Sequence, residues 1–311
     1  MASAVPLSPR AARLCVVVAA LTWSTSGAFT KVLREQTPLG LNVPPVEPLQ
    51  IAFFRAAFAG AVLLPLLRRR DLSFRPMMLF TAGAFAVMNA LFVRAMALGS
   101  AANAILLQYT APLWMYLACV FLLGEPADRR GAVALVIGLA GIVVIVLGGR
   151  ETGQASVSAI ALGSGVAYAA VMIGLRVLRD VSARYVTVLN FLVSALVLIP
   201  FVWANPAPTG PQLVVLFLYG AVQMTVPYWL MARALRSISP QEAGTLTLLE
   251  PLLNPVWSYL VSPATETPSP YTVIGGACIL GALAWRYWPS GRGYRTPGGA
   301  HDPVCNHPAW R

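Results

Sequence analysis

Runs of about twenty apolar residues follow one another along nearly the whole chain, punctuated by clusters of Arg, Pro and Gly. A helix rising 1.5 Å per residue needs about twenty such residues to cross a hydrocarbon core roughly 30 Å thick. The runs fall near residues 11–34, 47–67, 76–98, 101–123, 130–148, 157–178, 184–204, 211–236, 240–262 and 271–288. Only 11% of the 311 residues are charged, against roughly 25% in a soluble domain, so water is not the solvent for most of this surface. The sequence therefore predicts an all-α membrane protein of ten transmembrane helices, with the lipid bilayer as its principal partner. Pro-rich linkers at residues 38–48, 205–211 and 263–270 separate the runs, because Pro lacks the amide donor and clashes with the preceding turn.

A net charge of +11 would point to nucleic acid in a soluble protein, but here the basic residues sit between apolar runs and Lys31 is the sole Lys. Laid on ten spans, Arg10, Arg13, Arg68, Arg69, Arg70, Arg75, Arg129, Arg130, Arg176, Arg179, Arg184, Arg233, Arg236, Arg286, Arg292, Arg295 and Arg311 fall on one side. The other side receives only Lys31, Arg34, Arg94 and Arg150. Lys and Arg are retained in cytoplasmic loops, so both termini are expected in the cytoplasm of a multi-pass plasma-membrane protein, with no nucleic-acid partner. Arg55 alone lies inside a run.

The chain also repeats itself. A shift of 145 lays Lys31-Val32-Leu33-Arg34-Glu35 on Arg176-Val177-Leu178-Arg179-Asp180, and a shift of 139 lays residues 94–113 on 233–252 without a gap, with Arg94/Arg233, Ala104/Ala243, Leu107/Leu246 and Pro112/Pro251 identical. A third match lays Val136-Ile137-Gly138 on Val273-Ile274-Gly275. The matches occur in the same order, which predicts two repeats at residues 14–148 and 157–288 and a polar cytoplasmic tail at 289–311. Five spans is an odd number, so the second half enters the membrane from the opposite side; inverted repeats of this kind carry a substrate site at their interface. The first run resembles a signal peptide, but its counterpart in the sixth span assigns it to the fold.

Little raw material for catalysis is present. Cys15, Cys119 and Cys278 lie in apolar runs, Cys305, His301 and His307 lie in or near the tail, and no GxxxxGK loop occurs, so no metal, cofactor or nucleotide-driven pumping is expected. A charge at a helix centre costs roughly 2.5 to 3.5 kcal/mol on insertion scales, so polar groups inside spans should face an interior. Glu250 lies about ten residues into its span, followed by Pro251 and, one turn on, Asn254 and Pro255. It reads either as a substrate or proton-coupling carboxylate or as a structural pair for Arg55. Trp23, Ser24, Thr25, Ser26 and Gly27 place small hydroxyl groups in the first span, lining a polar cavity or allowing close packing. Gln108, Tyr109, Trp114, Tyr168, Gln223, Tyr228 and Trp229 add amphipathic groups, whose rings can hold a cation or simply pack. The substrate-binding candidates are Glu250, Asn254, Trp23, Thr25, Gln108, Tyr168 and Tyr228, with Glu250 and Arg55 as coupling or structural charges.

The segments ALTWSTSGAF, FFRAAFAGAVLLP, QYTAPLWMYLACVFLLGE and RALRSISPQEAGTLTLLEPLLNPVWSYL resemble the drug/metabolite transporter superfamily, EamA type with two repeats, over about residues 14–288. The resemblance implies ten spans, a central cavity between the halves, and movement of small metabolites such as amino acids or amphiphilic compounds, often outward. It carries the family's Arg onto Arg55, its Gly-Glu onto Gly124 and Glu125, and its Glu-Pro onto Glu250 and Pro251. Where the second repeat should end in Leu-Gly-Glu the chain reads Leu260-Val261-Ser262-Pro263-Ala264, so a different packing of the last hairpin is expected. The reading is a secondary transporter of a small molecule, with protons as a candidate coupling ion and a homodimer left open. The alternative is a membrane-embedded scaffold or enzyme.

Overall fold

The computed structural model describes residues 7–151 and 153–287; the tail and its two histidines lie outside the described residues. All regular elements among them are helical. In chain order they are α1 (Pro9–Trp23), α2 (Ser26–Arg34), α3 (Pro48–Leu63), α4 (Pro76–Leu98), α5 (Ala101–Gln108), α6 (Ala111–Phe121), α7 (Arg129–Glu151), α8 (Ala155–Val177), α9 (Ala183–Trp203), α10 (Gly210–Leu218), α11 (Thr225–Ala234), α12 (Pro240–Thr247), α13 (Leu249–Val261) and α14 (Pro270–Tyr287). Four pairs run on as single rods: α1–α2, α5–α6, α12–α13, and α10–α11 through a π-helical turn at Tyr219–Met224. The last proline of each expected linker starts a helix: Pro48 opens α3 after a Glu47 capping box, Pro211 stands in the first turn of α10 and Pro270 opens α14, since Pro in the first turn gives up a donor that has no acceptor there.

Eight rods are long and apolar enough to cross a membrane, from Pro9–Arg34 through Gly210–Ala234. The remaining two fall short of the ten expected. The α12–α13 rod is broken and carries Glu242, Thr245, Thr247 and Glu250, and α14 is 18 residues long and closes on Trp285, Arg286 and Tyr287. Large apolar side chains point outward on many rods, Leu14, Phe80, Phe121, Val136, Leu196 and Val273 among them. Polar ones are taken inside: Asn89 is buried and donates to the Ala52 carbonyl at 2.9 Å and to Ser194 Oγ at 3.0 Å. That distribution suits hydrocarbon as the outer solvent.

Packing follows the repeat. Helix α4 lies on α8 as α1 lies on α11; α5 and α6 lie on α8 as α13 lies on α1 and α2; α4 lies on α9 as the π turn lies on α3. The pairs α3–α9 and α7–α14 are their own counterparts. Exchanging the halves therefore maps the arrangement onto itself. At the α7–α14 crossing, a Cβ on Gly141 would stand 2.6 Å from the Gly275 carbonyl oxygen, and a Cβ on Gly275 would stand 2.6 Å from that of Gly141. Only glycine allows the two backbones this close.

The two ends of the bundle differ in how many arginines they gather, the end that holds Arg13, Arg176, Arg184 and Arg286 having most of them. At one, Arg13 meets Glu242, Arg176 meets Glu125, Arg286 meets Asp128, and Arg184 donates to the Leu66 carbonyl. At the far end, Gln50 reaches the Val202 and Pro206 carbonyls, Gln212 those of Leu41 and Pro44, and Lys31 that of Gly99. Replacing Gly141 by Leu should destabilise the detergent-purified protein by about 1 to 3 kcal/mol, the usual cost of overpacking. A thermal melt reads it as a lowered midpoint, and an unchanged midpoint contradicts the close crossing.

Candidate functional site

The site forms where the helices break. Pro251 has no amide hydrogen, so the Thr247 carbonyl four residues earlier loses its helical donor. Helix α12 ends there, and the Tyr109 hydroxyl donates to the freed Thr247 oxygen at 3.1 Å while lying 2.6 Å from Glu250 Oε2. Tyr109 itself occupies the break between α5 and α6, and the shift of 139 lays it on Leu248 at the break between α12 and α13. Pro112 and Pro251 therefore break the fourth rod of one half and the ninth rod of the other at one repeat position, and the two breaks meet. Glu250 and Tyr109 stay half-buried, whereas Pro251, Asn254 and Ser258 on α13 are buried.

The same face of α13 clasps the break in the first rod. Asn254 donates to Ser26 Oγ at 2.8 Å, Trp257 donates through its indole to Ser24 Oγ at 2.9 Å, and Ser258 turns back to the Asn254 carbonyl. A Cβ on Gly27 would overlap Ser258 Oγ and stand 2.7 Å from Asn254 Oδ1, so Gly27 is what admits this contact. The Trp23 carbonyl released at the break is answered from the π turn, where Gln223 donates to it at 2.9 Å, and Tyr219 donates to the Ser26 oxygen at the start of α2 at 3.1 Å. Thr25 satisfies itself locally on the Thr22 carbonyl.

Arg55 is buried on α3 and donates to the Tyr219 hydroxyl at 2.9 Å. Its guanidinium carbon lies 5.0 Å from the Tyr219 ring centre and 5.8 Å from that of Phe92, the range of a cation–π contact. Phe29 stacks on Tyr219 at 5.0 Å. The structural pair between Arg55 and Glu250 offered by the sequence is not formed: Arg55 turns to Tyr219 and Glu250 to Tyr109. Tyr228 packs edge-on against Trp23 at 5.4 Å and Phe191 at 5.5 Å, and Tyr168 packs on the same buried cluster as Tyr228. Gln108 is buried as the last residue of α5. The structure thus gathers Glu250, Asn254, Trp23, Thr25, Tyr168 and Tyr228 around the breaks, with Gln108 behind them and Arg55 reached through Tyr219.

Two features escaped the sequence reading. Tyr219, fully buried with its hydroxyl 3.1 Å from Thr30 Oγ1 as well as beside Arg55 and Ser26, looks in sequence like one more aromatic in an apolar run. The other corrects the expectation of a missing Glu. Shifting Glu125 by 139 lands on Ala264, but Glu266 two residues on does the same work. Its carboxylate pairs with Lys31 at 2.7 Å and accepts the Ala101 amide at 2.9 Å, as Glu125 pairs with Arg176 at 2.9 Å. Lys31 and Arg176 are equivalent under the shift of 145, so the two ion pairs are repeat counterparts. Burial pushes the Glu266 carboxyl above its ordinary pKa, and the Lys31 ammonium draws it part of the way back.

Two matching sets of helices, apolar outside and polar where they break, define a multi-pass helical membrane protein built from a duplicated unit. The model of the EamA-like transporter family matches residues 10–147 and again 156–287. The chain belongs to the EamA-like transporter family, in the drug/metabolite transporter superfamily, a family of membrane transporters, and carries its unit twice. A solved crystal structure of a protein is similar to it over 90% of this chain and 98% of its own, at 21% identity and a TM-score of 0.60, a likeness of fold. No curated protein matches the sequence. Removing the Tyr219 hydroxyl in Tyr219→Phe leaves the buried Arg55 guanidinium without the acceptor of its hydrogen bond. Because a buried polar group left unpaired costs about 1 to 3 kcal/mol, a thermal melt of the purified variant should show a clear drop; an unshifted melt refutes the hub.

Proposed function

We propose that the chain is a secondary transporter that exports a small zwitterionic or amphiphilic metabolite, such as an amino acid, across the cytoplasmic membrane by alternating access. The observation that carries this reading is the half-buried Glu250 carboxylate, held by Tyr109 at the meeting of two broken rods. Arg55, whose buried Nε has no hydrogen-bond partner, adds a positive group nearby. One carboxylate and one guanidinium flanked by Trp23, Tyr168 and Tyr228 suit an ammonium and a carboxylate on one amphiphilic molecule. A phosphorylated sugar would call for two or more basic groups at the site.

The same reading takes α12–α13 and α14 as membrane crossings, which makes ten, and places both termini in the cytoplasm with the basic end of the bundle. Its repeats are residues 14–148 and 157–288, entering the bilayer from opposite sides. Broken rods at the repeat interface support it, since transporters use unwound helices as substrate and ion sites. With no nucleotide loop in the sequence, an ion gradient, protons first among them, or exchange supplies the drive.

Comparing the metabolites retained by cells with and without the gene names the substrate, which accumulates inside when the protein is absent. In proteoliposomes, Glu250→Gln should lower flux of that compound about tenfold or more, the loss of one charge-assisted contact, while membrane abundance holds. Lost abundance would make Glu250 structural, and a folded wild type that moves nothing in a broad metabolite panel would overturn the transporter assignment of the site.

A further inference from the structure

Two repeat-related ion pairs each tie the end of one half's first rod to the segment that follows the broken fourth rod of the other half. Lys31 ends the first rod of the first half, and Glu266 follows the fourth rod of the second half. Arg176 ends the first rod of the second half, and Glu125 follows the fourth rod of the first half. Each pair therefore bridges the two halves, and the two lie at opposite ends of the bundle. Rod α5–α6 is held at both: the Ala101 amide at its start donates to Glu266, and Glu125 at its close meets Arg176, with the Tyr109–Thr110 break between. The first rod likewise carries Lys31 on one side of its Ser24–Thr25 break.

We infer that these two pairs are the opposed closures of the site, Lys31–Glu266 shutting the far end and Arg176–Glu125 the basic end, each opening in turn during transport. The inference rests on the alternating-access reading above. A buried ion pair is seldom worth more to stability than packed apolar side chains of the same size, so a buried Lys–Glu contact needs another reason to exist. Relative motion of the halves is what makes or breaks a contact between them, and the helix breaks supply the hinges. The structure is shut more tightly at the far end. Side chains of Lys31 and Glu266 are 3% and 0% exposed, with the Gly99 carbonyl and Glu35 also on the ammonium, against 30% and 22% for Arg176 and Glu125.

The test needs no substrate. In a chain whose native cysteines are replaced by serine, Thr247→Cys places one thiol at the α12–α13 break, and a membrane-impermeant maleimide is applied to right-side-out and to inverted vesicles. Lys31→Gln should raise labelling from the far face about tenfold, and Arg176→Gln should raise it from the basic face about threefold, because a partly exposed pair contributes less. The charge-exchanged pair Lys31→Glu with Glu266→Lys should return the far face to the parent rate. Variants recovered at parental abundance with unchanged labelling at their own face overturn the inference. If Lys31→Gln is not recovered in the membrane, Glu266→Gln and Arg176→Gln decide by the same criterion. Alternation itself is read at the opposite face: opening one end should slow labelling from the other, and an own-face rise without that fall keeps the closures and refutes alternating access.

Discussion

Inside a bilayer, a backbone carbonyl that loses its helical donor must find another from a neighbouring helix, and this bundle is organised around two such losses. The break in the first rod frees the Trp23 oxygen, which Gln223 answers. The break in the ninth rod frees the Thr247 oxygen, which Tyr109 answers from the break in the fourth. Much of what else is polar in the interior depends on these answers. Tyr219 can orient Arg55 because its own ring and hydroxyl are already fixed by Phe29 and Ser26. Tyr109 can hold Glu250 because the Thr247 carbonyl fixes the phenol.

Much of this was legible in the sequence, and for identifiable reasons. Hydrophobic runs mark rods because span length is set by bilayer thickness, and the identity of Pro112 and Pro251 marks the paired breaks because a missing amide acts wherever it stands. Glu250 stood out because a carboxylate is costly in hydrocarbon. Tyr219 did not, since burial of a tyrosine hydroxyl leaves no trace in the surrounding apolar residues. Glu266 was overlooked because gapless alignment points to Ala264, whereas loop conformation delivers a carboxylate from two residues further on to the equivalent place. Arg55 was seen as a charge, but whether it faced Glu250 or an aromatic depended on side-chain geometry that spacing does not encode.

The halves share a fold and divide the chemistry. Glu250 corresponds to Ala111, and Arg55, aligned through Pro65 and Pro200, corresponds to Asn190. The first rod breaks at Ser24–Thr25, whereas its counterpart α8 runs unbroken from Ala155 to Val177. Symmetric packing relates the two halves, and unlike side chains leave one acid, Glu250, in the second half and one base, Arg55, in the first.

The central claim is that Tyr109 and Glu250 act as one unit created where the two halves break. A double-mutant cycle of Tyr109→Phe and Glu250→Gln on substrate flux in proteoliposomes tests it most directly. A double variant no worse than Glu250→Gln alone is the predicted result, and losses that simply add would contradict it.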